Sequence, residues 1–334
     1  MRKVINIPQK LIVTNVGQFV QSIAALDDAD EYVFDFSATT WAEPFGMLYI
    51  SNKINEFRKN KVGKKFYVSN YKHLTYPGHM GFFQSFGLDF GKHTGEARGN
   101  SHYLPITTMN LKPIQDMAER NEEYVGVQVQ NIAHRLSCLL TQEANRKAVE
   151  VLSFSFREIL RNVFEHSEAT ELDYCAQYWS NGRVEISVLD TGVGIKKSLE
   201  KNVDLEIEND SHALDCCILP GVSGGLNRNK YQAGSVWENS GFGLYMANRL
   251  CSYGGSFLMC SGDAGVIWTG EQKRKIPLGI DGTAIRLVMN VNKMDSVTSL
   301  IEKIVEDGEA IAAGISGKKV SASKVSKVIQ YGSM

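Results

Sequence analysis

Between about residue 144 and residue 194 the hydrophobic period of the chain changes, and that change constrains the fold more than any other feature. A long pattern of helical spacing over 144–166 gives way to two strand-like runs, Tyr174–Tyr178 and Val184–Leu189. Ser180-Asn181-Gly182 between them is a hairpin signal. Further helices are expected over 113–123 and 126–142. The first 90 residues alternate in the same manner. Strand-like Tyr32–Phe36 and Lys65–Val68 are interleaved with helical patterns at Val16–Leu26, Phe45–Phe57 and Met80–Phe86. Strands alternating with helices place the chain in the α/β class.

Composition narrows the function classes. The chain has 334 residues, 43% hydrophobic and 22% charged, enough for two domains with ample cores. Its 36 Lys+Arg against 37 Asp+Glu leave a net charge of −1, which argues against a strongly basic nucleic-acid binder. No apolar run approaches a membrane span, and the first residues lack the apolar core of a signal peptide. Six cysteines without metal-ligand spacing read as reduced thiols of a cytoplasmic protein. Residues 88–103, rich in Gly, Asn, Ser and His, read as a loop or linker, and Leu104–Thr108 beyond them reads as a strand.

Three short segments carry chemistry. In Glu158-Ile-Leu-Arg-Asn162-Val-Phe-Glu-His166, residues four apart share one helix face. An amide oxygen there can hold a hard cation, and a carboxylate can act as general base. Ile186-Ser-Val-Leu-Asp190-Thr-Gly192-Val-Gly194 ends a strand on a carboxylate, followed by glycines that permit close approach of a flat ligand. In Asn239-Ser-Gly241-Phe-Gly243-Leu244, glycines feed into a helical run whose free N–H groups suit phosphate oxygens. Each alone is a common solvated helix face, turn or helix start. In this order they resemble the N, G1 and G2 boxes of the GHKL superfamily, the ATPases and kinases that include gyrase, Hsp90, MutL and histidine kinases. Gly282-Thr283 at the start of the strand-like Ala284–Met289 is similar to that superfamily's terminal Gly-Thr strand.

The resemblance covers roughly 126–290 and implies an ATP-binding domain with a mixed sheet and helices, the nucleotide held between them. It implies that Asn162 binds Mg²⁺, that Glu158 is the general base, and that Asp190 accepts the adenine amino group. Gly192 and Gly194 would let the lid chain pass the nucleotide, with His166 on the same helix face as Asn162. Gly241, Gly243 and Leu244 would meet phosphates, and Thr283 would support the adenine site. The Glu-x-x-x-Asn-x-x-x-His stripe is most similar to anti-sigma-factor serine kinases. Two departures are a long lid, 195–240, and Phe242 where an Arg is expected. The lid is expected to be mobile without nucleotide, with Gly221, Gly224, Gly225 and Gly234 in it and Arg228 and Lys230 within reach of phosphates.

Val33-Phe-Asp-Phe-Ser-Ala-Thr-Thr-Trp-Ala-Glu43-Pro44-Phe45-Gly46-Met47-Leu48 resembles the STAS domains of anti-anti-sigma factors. Glu43 stands at their Asp and Gly46 at their Gly, while Pro44 and Phe45 replace both serines. The expected organisation is a STAS-like domain at 1–90, a linker and helix at 91–125, the GHKL ATPase domain at 126–290, and a C-terminal helix with a basic tail at 291–334. Trp41, Phe45 and Met47 are candidate contacts between the two modules. His134 reads as a helix-surface residue rather than a phosphoacceptor. The resulting expectation is an ATP-binding regulatory switch with Mg²⁺-dependent hydrolysis, or Ser/Thr phosphoryl transfer to a protein partner. The alternative is a non-catalytic module in which ATP controls partner docking. Neither reading needs a membrane or nucleic acid, and both leave room for a homodimer.

Overall fold

The computed structural model describes residues 1–141, 146–224, 241–293 and 297–316. The amino-terminal unit begins with β1 (Arg2–Asn6), β2 (Lys10–Leu11), α1 (Val13–Ala24), β3 (Glu31–Asp35) and β4 (Trp41–Ala42). It continues with α2 (Pro44–Asn60), β5 (Lys65–Ser69) and α3 (Thr75–His79). β1, β3 and β5 form a parallel sheet in that order, and β2 pairs with β4. Instead of one helix over 80–86 there is a turn and a 3₁₀ segment at Gln84–Phe86. There Phe82 and Phe83 pack edge-on against Phe36, and Phe86 packs edge-on against both of them.

The remaining elements are β6 (Tyr103–Asn110), α4 (Lys112–Arg120), α5 (Val125–Thr141) and α6 (Arg146–Asn162), which runs into a π-helical turn at Val163–Ser167. Then come β7 (Glu171–Tyr178), β8 (Arg183–Asp190), α7 (Gly194–Leu199), α8 (Asp210–Cys216) and α9 (Gly243–Cys251). The chain finishes with β9 (Ser256–Gly262), β10 (Ala264–Thr269), β11 (Gln272–Ile276), β12 (Ile280–Asn290) and α10 (Val297–Ser316). Seven strands make one sheet in the order β11-β10-β9-β12-β8-β7-β6. Every pairing in it is antiparallel, so the expected mixed sheet is corrected. β7–β8, β9–β10 and β10–β11 are joined by short turns, as at Gly182 (φ +80°), and such turns join antiparallel neighbours only. β6 takes up the strand expected at Leu104–Thr108, within the segment assigned to linker and helix, and forms one edge of this sheet.

Strand alternation divides the sheet into two faces. Val184, Ile186 and Val188 of β8, with Phe257, Met259, Ile285 and Leu287, pack under α5, α6 and α9. Cys175, Leu189, Leu258, Cys260 and Ala284 point the other way, into one core with Ile5, Phe34, Phe45, Tyr49 and Ile54 of the amino-terminal unit. The two units therefore share a core. Within the amino-terminal unit, Gly46 lets α2 start against β2, because a Cβ there would lie 2.0 Å from the Leu11 carbonyl oxygen.

Charge fixes the same junction. Glu185, 0% exposed, accepts the Phe45 N–H at the start of α2 (3.0 Å) and pairs with Arg286 (2.8 Å) and Arg183 (3.0 Å). Both arginines also reach Glu43. A buried carboxylate is tolerated where two guanidinium groups and a helix N-terminus surround it. Of the three expected contacts, Phe45 is at the junction, Met47 is fully buried core, and Trp41 is 50% exposed. No helix among the described residues is long and apolar enough to cross a membrane.

Candidate nucleotide cleft

α6 is buried on most sides through Val151, Leu152, Phe156, Ile159 and Leu160, so its polar residues survive only where a cleft or a partner receives them. One such cleft opens beside α6. Glu158, Asn162, His166, Asp190, Gly194, Gly241, Gly243, Leu244 and Thr283 all line it. Residues drawn from α6, β8, β12 and the two glycine segments thus converge on one site.

At one end lies Asp190, 3% exposed at the close of β8. Its Oδ1 accepts the Gly192 N–H (2.9 Å), and its other oxygen has no hydrogen-bond partner among the described residues. Burial pushes its carboxyl up to about 6 against that stabilising bond. Thr283 sits directly opposite it in the β8–β12 register. Gly192 does not line the cleft but shapes it: a Cβ there would lie 2.1 Å from the Ser167 carbonyl oxygen. That same carbonyl accepts the Val193 N–H (2.7 Å), so the π turn and the turn after Asp190 hold each other.

At the other end lie Glu158 and Asn162. The Asn162 Nδ2 donates to the Glu158 carbonyl (2.6 Å), which leaves the amide oxygen as the free acceptor. Glu158, 3% exposed, accepts through Oε1 from Nε of Arg157 (2.7 Å) and from its Nη2. Its Oε2 lies against Gly243, where a Cβ would come within 2.1 Å. Only glycine lets the carboxylate reach the start of α9. His166 lies in the π turn, and burial, with Arg161 and Lys201, lowers it to about 4, so the ring is neutral at pH 7.

No family model, curated protein or solved structure matches this chain. What the cleft does is therefore argued from its own residues.

Some of those residues escaped the sequence reading. Arg161 and Glu165, paired at 2.6 Å beside Tyr124, line the cleft; both fall on the helix face of Glu158 and Asn162, and that spacing could have found them. Ile195, Ser198, Leu199 and Cys217 form a wall that no motif announces. The lid reading needs correction. In place of a segment with little to pack on, α7 and α8 bury Leu199, Ala213, Leu214 and Cys217 in the core of the large sheet. Gly225, Arg228, Lys230 and Gly234, with the rest of 225–240 and the basic tail from 317, lie outside the described residues. Phe242 is fully buried against Tyr245 and offers no donor to an anion. His134 is half-buried between α5 and α6, near Cys138 and Ser153. Among the described residues no group of three or more His, Cys, Asp and Glu is placed to hold a metal ion.

Proposed function

We propose that the cleft binds Mg-ATP in the manner of a GHKL domain, and that the chain is an ATP-dependent regulatory switch with a STAS-like unit docked on the back of its sheet. The observation that supports this most is the buried Asp190 carboxylate, which keeps one oxygen unpartnered in the cleft where the three motif segments meet. Such a group is costly unless a ligand donor meets it, and the adenine amino group is such a donor. Asp190 and Thr283 would hold the base, and Gly194 would admit it past the lid chain. Asn162 would hold Mg²⁺ through its amide oxygen; a cation that keeps several waters and shares phosphate oxygens needs no cluster of carboxylates. Bound Mg²⁺ would neutralise phosphate charge. Gly241, Gly243 and the first turn of α9, with Leu244, would face the phosphates.

Glu158 stands beside that same backbone and is the group able to accept a proton from an attacking water or hydroxyl. Pro44 and Phe45, both buried at the junction, remove the amino-terminal turn as a phosphoacceptor. Phosphoryl transfer would therefore go to a Ser or Thr of a separate protein partner. One specific observation favours the second reading, nucleotide binding without turnover: the Arg157 guanidinium occupies Oε1 of the Glu158 carboxylate, which takes one of its two acceptor oxygens away from an attacking water.

The test is purified chain with labelled ATP and Mg²⁺, scoring free phosphate and labelled protein separately. The expected result is slow phosphate release without label on the chain. Glu158→Ala should keep ATP affinity and lose about 10²-fold or more in turnover, while Asn162→Ala should lose the Mg²⁺-dependent part of the affinity. Unchanged turnover in the Glu158 variant removes it as base and leaves the binding module.

A further inference from the structure

Ser261 of β9 belongs to no motif, yet its hydroxyl touches both elements that frame the base end of the cleft. It is 2% exposed. Its Oγ donates to the Gly282 carbonyl (2.7 Å) and accepts the Ile195 N–H (2.9 Å). Gly282, at φ +104°, sits in the irregularity of β12 where pairing with β9 slips between Ile280 and Thr283. A Cβ on Gly282 would lie 2.2 Å from the Asp190 carbonyl oxygen, so this bulge rests on the backbone of Asp190 itself. Thr283 follows it directly. On the other side, Ile195 is in the first turn of α7, whose Ile195, Ser198 and Leu199 wall the cleft. Gly194, at φ +78°, is the residue that lets the helix start so close: a Cβ there would come within 2.8 Å of the Ser261 oxygen.

We infer that Ser261 is a positioning residue, whose one hydroxyl locks the Gly282 bulge under Asp190 and Thr283 to the first turn of the wall helix α7. The inference rests on the nucleotide reading of the cleft and adds how occupancy of the base site is carried to α7. The first-turn N–H groups of a helix have no partner within it, and here the partner comes from the strand beside the base site. Losing the hydroxyl leaves the Ile195 N–H and the Gly282 carbonyl without that partner in a dry place and frees the two elements to shift independently.

The test uses the full chain with a non-hydrolysable ATP analogue, measuring affinity by calorimetry and amide exchange over 194–199 with and without the analogue. Wild type should bind, and the analogue should slow exchange there. Ser261→Ala should bind about tenfold more weakly, as expected from two lost buried hydrogen bonds, and should lose most of the analogue-dependent protection of α7. Ser261→Thr, which keeps the hydroxyl, should stay within about threefold of wild type. Ser261→Cys, close in size with a much weaker donor, should repeat the alanine loss and serves where the alanine variant fails to fold. If the variants lower only the melting temperature while affinity and protection persist, Ser261 is merely structural and the inference is overturned. A wild-type chain that binds no adenine nucleotide overturns this inference and the nucleotide reading together.

Discussion

Asp190 and His166 line the same cleft, and burial displaces both from their usual titration in opposite senses of charge. Asp190 is raised from 3.8 to about 6, so between those values the folded chain holds a proton that the unfolded chain has released. Stability from Asp190 therefore falls as pH rises from about 4 to 6 and is flat above, a loss on the order of 3 kcal/mol. His166 is lowered from 6.5 to about 4, so there the unfolded chain holds the extra proton and stability rises with pH across nearly the same window. The two contributions oppose each other. Asp190→Asn should thus be more stable than wild type at pH 8, equal to it near pH 4, and more steeply dependent on pH between 4 and 6.5. Thermal melts of both proteins across that range check the sign. The same substitution should weaken ATP by well over threefold, because an amide presents a mismatched donor to the adenine amino group. ATP affinity within about threefold of wild type, a shift under about 1 kcal/mol, would remove Asp190 from base recognition.

At the scale of elements, the start of α2 is held to β8 and β12 by polar groups as well as by the shared apolar core. Glu185 has no solvent to fall back on, so its stability depends on Arg183, Arg286 and the Phe45 N–H together. Arg286→Met should destabilise the fold by about 3 kcal/mol or more, since it leaves a buried carboxylate short of a partner. The double variant with Glu185→Leu should recover part of that loss, because the uncompensated charge is then gone. Urea unfolding of the two variants measures the difference. A double variant as unstable as Arg286→Met alone would mean that the cost comes from packing. Gly46→Ala should be damaging for a different reason: the Leu11 backbone, 2.0 Å from the added carbon, has no flexible end that can give way.

At the scale of the molecule, the large sheet is covered on one face by its own helices and on the other by the amino-terminal unit. A fragment beginning at residue 111 would lose β6 from the sheet edge and expose Cys175, Leu189, Leu258, Cys260, Leu278, Ile280 and Ala284. That apolar face is larger than soluble chains leave open. Such a fragment should be insoluble, and the whole chain should unfold in one calorimetric transition rather than two. A soluble, folded fragment would show that the shared core is dispensable. This outcome bears on regulation, since a unit that completes the core cannot come and go as a separate partner does.

The sequence alone determined what depends on local period and residue chemistry. Helical spacing over 144–166 becomes α6 over Arg146–Asn162 and its π turn, with the first residues of the stretch outside the described part, and Ser180-Asn181-Gly182 turns β7 into β8. Most of the residues that line the cleft were legible because they are polar or glycine where a regular element would otherwise carry a packing residue; Leu244 was legible only through the glycines before it. Which side of the sheet the amino-terminal unit covers was not legible, because alternation marks two apolar faces without saying what fills either. The antiparallel sheet and the packed α7 and α8 likewise depend on partners distant in the chain. Ser261 gave no signal at all. A serine in a strand gains its meaning only when a bulge from one direction and a helix start from another arrive within hydrogen-bond reach, and that meeting is made by the tertiary fold.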